Sequence, residues 1–216
     1  MLGAATLVLA ILFGVALLGY QLIVEYWGVD PNSEQAINDA SFPLQLVILI
    51  IAAPFEAGLA YMGWRKVNQL PTTLGQLFGP WAIATPLIVI AISSSMLANL
   101  GLSLFLLPGL YLMAVLSFAN LYYLFRRGSP LKAMWESALV VHQNLLLIMV
   151  FHVVMGSLIV VSAVPFGLGL ILTIPMYFYG KGLLFNQLFP NYKPNGSDTP
   201  AAEASPSQDK SSSFEA

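Results

Sequence analysis

Long apolar runs separated by short polar breaks dominate this chain, and the breaks, more than any helical or strand period, mark out its elements. A helix crossing the hydrocarbon core needs roughly 20 mostly apolar residues. Six stretches meet that requirement: residues 2–24, 43–64, 81–100, 102–125, 144–163 and 166–189. The predicted fold class is all-α, a polytopic membrane helix bundle whose six transmembrane helices pair as three hairpins. A tight turn at residues 99–101 is predicted to part the third span from the fourth.

Two connectors between hairpins show helical spacing. In residues 68–80, Leu70, Leu74, Leu77 and Phe78 surround Pro71 at such intervals. The second connector is clearer. Ser129 can cap, Pro130 suits the first helical position, and Leu131, Met134, Trp135, Ala138, Leu139 and His142 recur at i, i+3, i+4, i+7, i+8 and i+11. With Lys132 and Glu136 on another side, this spacing predicts an amphipathic interfacial helix over residues 130–142, lying in the headgroup plane. The second helix of each hairpin contains a proline, at Pro54, Pro108 and Pro175. Each removes a backbone donor and crowds the preceding turn, which predicts three structural kinks. The similar wording of residues 101–111 and 169–177 suggests a weak repeat of hairpins. Residues 190–216 turn abruptly to Pro, Ser, Ala and acidic residues, too poor in apolar groups to fold, and are predicted to form a disordered tail.

Composition supports the membrane reading: 58% of the 216 residues are hydrophobic and only 8% charged, too few to cover a water-soluble globule of this length. The few basic residues cluster at the ends of apolar runs, which argues against nucleic acid as a partner. Arg65 and Lys66 close the second span, and Arg126 and Arg127 the fourth, followed by Lys132. The loop at residues 25–42 instead carries Glu25, Asp30, Glu34 and Asp39 with no basic residue. Taking Arg65, Lys66, Arg126 and Arg127 as topology anchors, the positive-inside rule places both termini in the cytoplasm, and a multi-pass protein of a bacterial inner membrane is expected. Tyr61, Trp64, Trp81, Tyr122 and Tyr123 would then form an aromatic belt on the cytoplasmic side, with Tyr20, Tyr26 and Trp27 on the other. The N-terminus lacks the basic start of a signal peptide and reads as a retained span. The lack of cysteines excludes disulfides, thiolate metal sites and cysteine catalysis.

The centre of the chain carries a family resemblance. Leu107-Pro108-Gly109-Leu110-Tyr111, then Ser129-Pro130-Leu131-Lys132-Ala133, Glu136-Ser137 and Asn144 resemble the membrane domain of bacterial YciC-like inner-membrane proteins. The same wording is similar to the membrane domain attached to some glycerophosphodiester phosphodiesterases. Covering about residues 70–189, the resemblance implies a six-span inner-membrane protein with no established activity and no catalytic residues to transfer. The soluble phosphodiesterase domain is not in this sequence, so that activity is not carried over.

Candidate chemistry is sparse. The sequence contains no phosphate-cradling G-x-x-x-x-G-K-[ST], H-E-x-x-H or G-x-S-x-G motif, and its two histidines are too few for a metal site alone. No catalytic residue, cofactor or metal ligand is therefore expected. Three ionisable residues fall at membrane depth. Glu56 precedes Arg65 by about 13 Å of helix, His152 lies midway along the fifth span, and Lys181 sits in the sixth. They could form a proton-coupled substrate site, or Glu56 could be the structural partner of Lys181 while His152 is a satisfied interhelical group. Asn99, Asn120 and Asn186 could bond between helices. The expected role is a non-enzymatic accessory or scaffold in envelope or lipid homeostasis, with membrane lipids and other inner-membrane proteins as partners. The alternative is a small proton-coupled transporter or permease using Glu56 and His152.

Overall fold

The computed structural model describes residues 2–7, 14, 34–163 and 169–192. The predicted first span thus lies largely outside the described residues, as does the tail beyond Tyr192. Every regular element among the described residues is helical. The longer helices are α1 (Glu34–Val67), α2 (Ala84–Leu104), α3 (Leu106–Leu116), α4 (Ala119–Phe125), α5 (Pro130–Gln143), α6 (Leu145–Ala163) and α7 (Leu170–Leu188). A single turn at Gly75–Phe78 and a 3-10 segment at Gly79–Ile83 lead into α2. Four helical stretches are long and apolar enough to cross a membrane: Leu46–Val67, Gly75–Leu104, Leu106–Phe125 and Leu145–Ser162. Of the six predicted spans, the described residues therefore carry four. Helix α7 has the length but not the apolarity, because Pro175, Lys181, Asn186 and Gln187 dilute its hydrophobic run.

Several boundaries differ from those predicted, each for a local reason. The loop predicted at residues 25–42 is helical from Glu34 onward: Glu34, Gln35 and Ala36 are good helix formers with an acidic residue first, and the helix runs on through the weaker Asn38, Asp39 and Ser41 into the apolar span. The turn predicted at residues 99–101 falls instead at Phe105, whose backbone is extended (φ −161°, ψ 155°). Asn99 does not turn the chain: its side-chain amide donates to the Ser95 carbonyl at 2.9 Å, and the Ser103 hydroxyl to the Asn99 carbonyl at 2.9 Å, both inside the helix. Gly101 serves close packing, since a Cβ there would lie 2.9 Å from the Gly109 Cα on the next helix.

Pro108 is consequently not a mid-helix kink. It occupies the third position of α3, in the first turn, where its missing N–H has no intrahelical acceptor to lose. The interruption between α3 and α4 comes at Ser117 and Phe118, where the Ser117 hydroxyl donates to the Ala114 carbonyl at 2.8 Å. Pro175, by contrast, lies inside the continuous α7, and Pro54 inside α1. The similar texts around Pro108 and Pro175 thus occupy different structural positions, and the apparent repeat does not extend to the helix boundaries.

Helix α1 packs against α7 at a glycine crossing. A Cβ on Gly63 would overlap the Phe178 carbonyl, and one on Gly182 would sit 2.6 Å from the Trp64 nitrogen. Only residues without a side chain let the two backbones approach this closely. Beyond the crossing, Asn68 and Asn186 exchange amide hydrogen bonds: Asn186 donates to Asn68 at 2.9 Å and Asn68 to Asn186 at 3.3 Å. Asn186 thus does bond between helices, as the sequence suggested.

At the same end of the bundle the predicted aromatic belt turns inward. Tyr61, Trp64, Tyr122 and Tyr123 are buried, while Trp81 is exposed. The rings of Trp64 and Phe125 meet edge to face at 4.7 Å, and Phe125 stacks on Phe185 at 5.2 Å. Because α1, α4 and α7 end at one level, their terminal aromatic residues meet each other rather than the headgroups. Pro190–Tyr192, predicted to belong to the disordered tail, forms a 3-10 turn that lays the Tyr192 ring against Phe125 and Tyr122. Arg65 is buried rather than extended: it donates to the Pro71 carbonyl at 3.0 Å and the Tyr61 hydroxyl at 3.1 Å, pinning the loop after α1.

Helix α5 matches its predicted span to within a residue but faces differently from a helix whose apolar stripe packs on the protein. Ala133, Met134, Ser137 and Val141 are buried, whereas Leu131, Trp135 and Leu139 are exposed. Two side-chain contacts tie α5 along α3 and α4. The Tyr122 hydroxyl donates to Glu136 at 2.9 Å, and the Tyr111 hydroxyl meets His142 Nδ1 at 3.0 Å.

Candidate intramembrane polar site

The glycine crossing of α1 and α7 brings two of the predicted site residues together. Lys181 Nζ donates to Glu56 Oε1 at 2.8 Å. The pair is asymmetric: the lysine side chain is 1% exposed and the glutamate side chain 43%. Lys181 is enclosed, with its ammonium 6.0 Å from the Phe118 ring centroid and 5.7 Å from that of Tyr177. Both ring faces attract the cation. Glu56 keeps one carboxylate oxygen on the lysine and opens toward a cavity.

That cavity, about 260 Å³, lies among α1, α2, the α3–α4 junction, α6 and α7. Its polar lining is Glu56, Ser94, Ser95, Ser117, Asn120, His152 and Tyr177. His152 therefore joins the same site, although no hydrogen bond links it to Glu56 or Lys181. Its Nδ1 lies 2.8 Å from the Ile148 carbonyl. A carbonyl only accepts, so Nδ1 carries the proton, and in the neutral ring Nε2 is a bare acceptor.

Three buried polar atoms around this cavity have no partner: His152 Nε2, Asn120 Oδ1 and Ser94 Oγ. Buried polar atoms are nearly always hydrogen-bonded, and each unsatisfied one costs about 1–3 kcal/mol. Their residues line the cavity from three different helices, beside the open carboxylate of Glu56, so a species bearing N–H or O–H donors could pair with Glu56 there and reach these atoms on rotation of the side chains. His152, Tyr177 and Met113 also border a second cavity of about 290 Å³, otherwise lined by apolar groups that include Leu110, Met149, Val153 and Ile159. A cavity edged by polar side chains and an apolar chamber thus share one wall.

The sequence singled out Glu56, His152 and Lys181 but not Ser94, Ser117 or Tyr177, and assigned Asn120 only an interhelical bond. The run Ser93-Ser94-Ser95 within an apolar span was the available signal. The other sequence-predicted residues lie elsewhere: Pro54 is buried in α1, and Arg65, Lys66, Arg126 and Arg127 mark the helix ends at the aromatic face. Among the described residues no group of three or more His, Asp or Glu is placed to hold a metal ion.

The fold and this site define the class: among the described residues, an all-helical bundle with four helices fit to cross a membrane and, between them, a cavity edged by ionisable and hydroxyl groups. No family model, curated protein or solved structure matches the chain.

Proposed function

We propose that this chain is a non-enzymatic membrane protein that binds an amphiphile, with a donor-bearing head group in the Glu56–Asn120–His152 cavity and hydrocarbon in the adjoining apolar chamber. The observation that carries this reading is that His152, Asn120 and Ser94, which line one cavity beside the open Glu56 carboxylate, each hold a buried polar atom without a partner. A hydroxyl or ammonium head group would pair with Glu56 and, once their side chains turn toward it, with these atoms, and Met113, His152 and Tyr177 would contact both halves of the ligand. The resemblance to the YciC-like family supports a bacterial inner-membrane setting, and the basic helix ends support cytoplasmic termini. An accessory role in envelope or lipid homeostasis follows from a ligand of this class.

The test is native mass spectrometry of the full chain purified from its membrane. The wild type should retain one amphiphile carrying a hydroxyl or amine, and His152→Phe with Asn120→Leu should release it while the helical signal persists. A protein with nothing bound under every mild extraction condition, or with equal retention by the double variant, would overturn the proposal. Glu56, open to the same cavity, supports a small proton-coupled permease as a second reading. In vesicles made for the same experiment, pH-driven uptake of the retained amphiphile that Glu56→Gln abolishes would favour the permease. Binding without uptake would exclude it.

A further inference from the structure

The end of α4 and the start of α5 enclose a separate cavity of about 210 Å³, bordered by Arg126, Arg127, Lys132 and Glu136. Glu136 organises part of this cluster. It lies 3.3 Å from Arg126 and 3.9 Å from Lys132, and it accepts the Tyr122 hydroxyl at 2.9 Å. Arg126 in turn donates to that hydroxyl at 3.2 Å. The Tyr122 bond first, and then the Glu136 charge, raise the Arg126 pKa above its ordinary value, so the guanidinium stays charged. Arg127 borders the same cavity and, among the described residues, is engaged by no hydrogen bond or ion pair. Three cations against one carboxylate leave an excess of positive charge around the cavity.

The neighbouring surface is apolar. Leu131, Trp135 and Leu139 are 63%, 68% and 50% exposed and recur at i, i+4 and i+8, so they form one stripe along α5. Lys132 and Glu136 border that stripe on one side, by the 3.6-residue turn. The basic cluster itself begins where the candidate span Leu106–Phe125 ends. An anion in the cavity would therefore sit at a membrane face with hydrocarbon-compatible surface beside it.

We infer that this is a binding site for an anionic phospholipid, independent of the intramembrane cavity. The phosphate lies among Arg126, Arg127 and Lys132, and an acyl chain follows Leu131, Trp135 and Leu139. Guanidinium groups match phosphate oxygens with paired N–H donors, and a Trp at the headgroup level suits the boundary between the two parts of the lipid. Charge complementarity selects an anionic over a zwitterionic headgroup, and the apolar stripe selects a lipid over a free phosphate.

The test is native mass spectrometry of the full chain in detergent, supplied with equal amounts of phosphatidylglycerol and phosphatidylcholine of the same acyl composition. The wild type should retain phosphatidylglycerol preferentially. Arg127→Gln with Lys132→Gln should lower that retention about tenfold or more. Both residues are exposed, so the variant's melting temperature should not change. Lys66→Gln, which removes an exposed charge outside the cluster, should leave retention intact. Trp135→Ser should weaken retention while keeping the preference for the anionic headgroup. Loss of retention in Lys66→Gln equal to that of the double variant would reduce the effect to general surface charge and overturn the site. Displacement of the lipid by millimolar inorganic phosphate would overturn the lipid assignment in favour of a soluble anion.

Discussion

Lys181 is enclosed while Glu56 is open, and this asymmetry sets what each substitution does. Glu56→Gln leaves a buried ammonium with its counter-charge gone; because Glu56 is itself 43% exposed, the loss should fall at or below the roughly 3 kcal/mol lower end for a broken buried pair. Lys181→Met removes the buried charge itself and leaves Glu56 facing the cavity, so it should cost much less. The double variant should recover most of what Glu56→Gln loses, because two neutral side chains need no pairing. Melting temperatures in one detergent give the order wild type, then double variant, then Glu56→Gln. If Glu56→Gln matched the wild type, the pair would have no structural weight. At this scale the sequence was informative where charge interrupts an apolar run, which is why Glu56, His152 and Lys181 stand out. Hydroxyl and amide groups were not legible. Asn99, Ser103 and Ser117 bond to their own helices, whereas Ser94 and Asn120 line a cavity and hold buried atoms without a partner, and nothing local distinguishes the two groups.

Among the elements, the crossing of α1 and α7 is the contact on which the site depends, since it brings Glu56 to Lys181. Gly182→Val would push a side chain into the Trp64 backbone, where a Cβ has 2.6 Å of space. Overpacking of this kind costs about 1–3 kcal/mol, and neither backbone can yield without parting the helices. Gly156→Ala on α6 is the matched control: a Cβ there meets nothing within 4 Å. It should be neutral or slightly stabilising, because alanine favours the helix by up to about 1 kcal/mol. Thermal unfolding of both variants in the same lipid checks the contrast, and equal effects would argue against the crossing. Helix existence and type were readable from apolar runs of sufficient length. Helix ends were less so, because Asn99, Gly101 and Pro108 all look like breakers, yet the chain breaks at Phe105 between them. Glycine at a helix contact and glycine at a turn look the same in a sequence; the partner backbone that tells them apart is distant along the chain.

For the whole molecule, the strongest constraint is that the C-terminal ends of α1, α4 and α7 meet at one face. The Asn68–Asn186 amide exchange and the packing of Phe125 against Trp64 and Phe185 hold them there. Lys66 lies in the last turn of α1, and Arg126 and Arg127 follow α4, so the basic clusters used to orient the chain share a face in the folded structure as well. Phe105, at the other end of the candidate span Leu106–Phe125 and 77% exposed, should lie across the membrane from them. The lack of cysteines makes this directly measurable with single-cysteine variants. A membrane-impermeant maleimide should label Lys66→Cys and Arg127→Cys from one side only, and Phe105→Cys from the other. Labelling of all three from one side would mean that Leu106–Phe125 does not cross, whatever its length and apolarity. Labelling of Lys66→Cys and Arg127→Cys from opposite sides would contradict the aromatic packing that joins α1 to α4. If the basic face is the cytoplasmic one, intact cells should expose only the Phe105→Cys position.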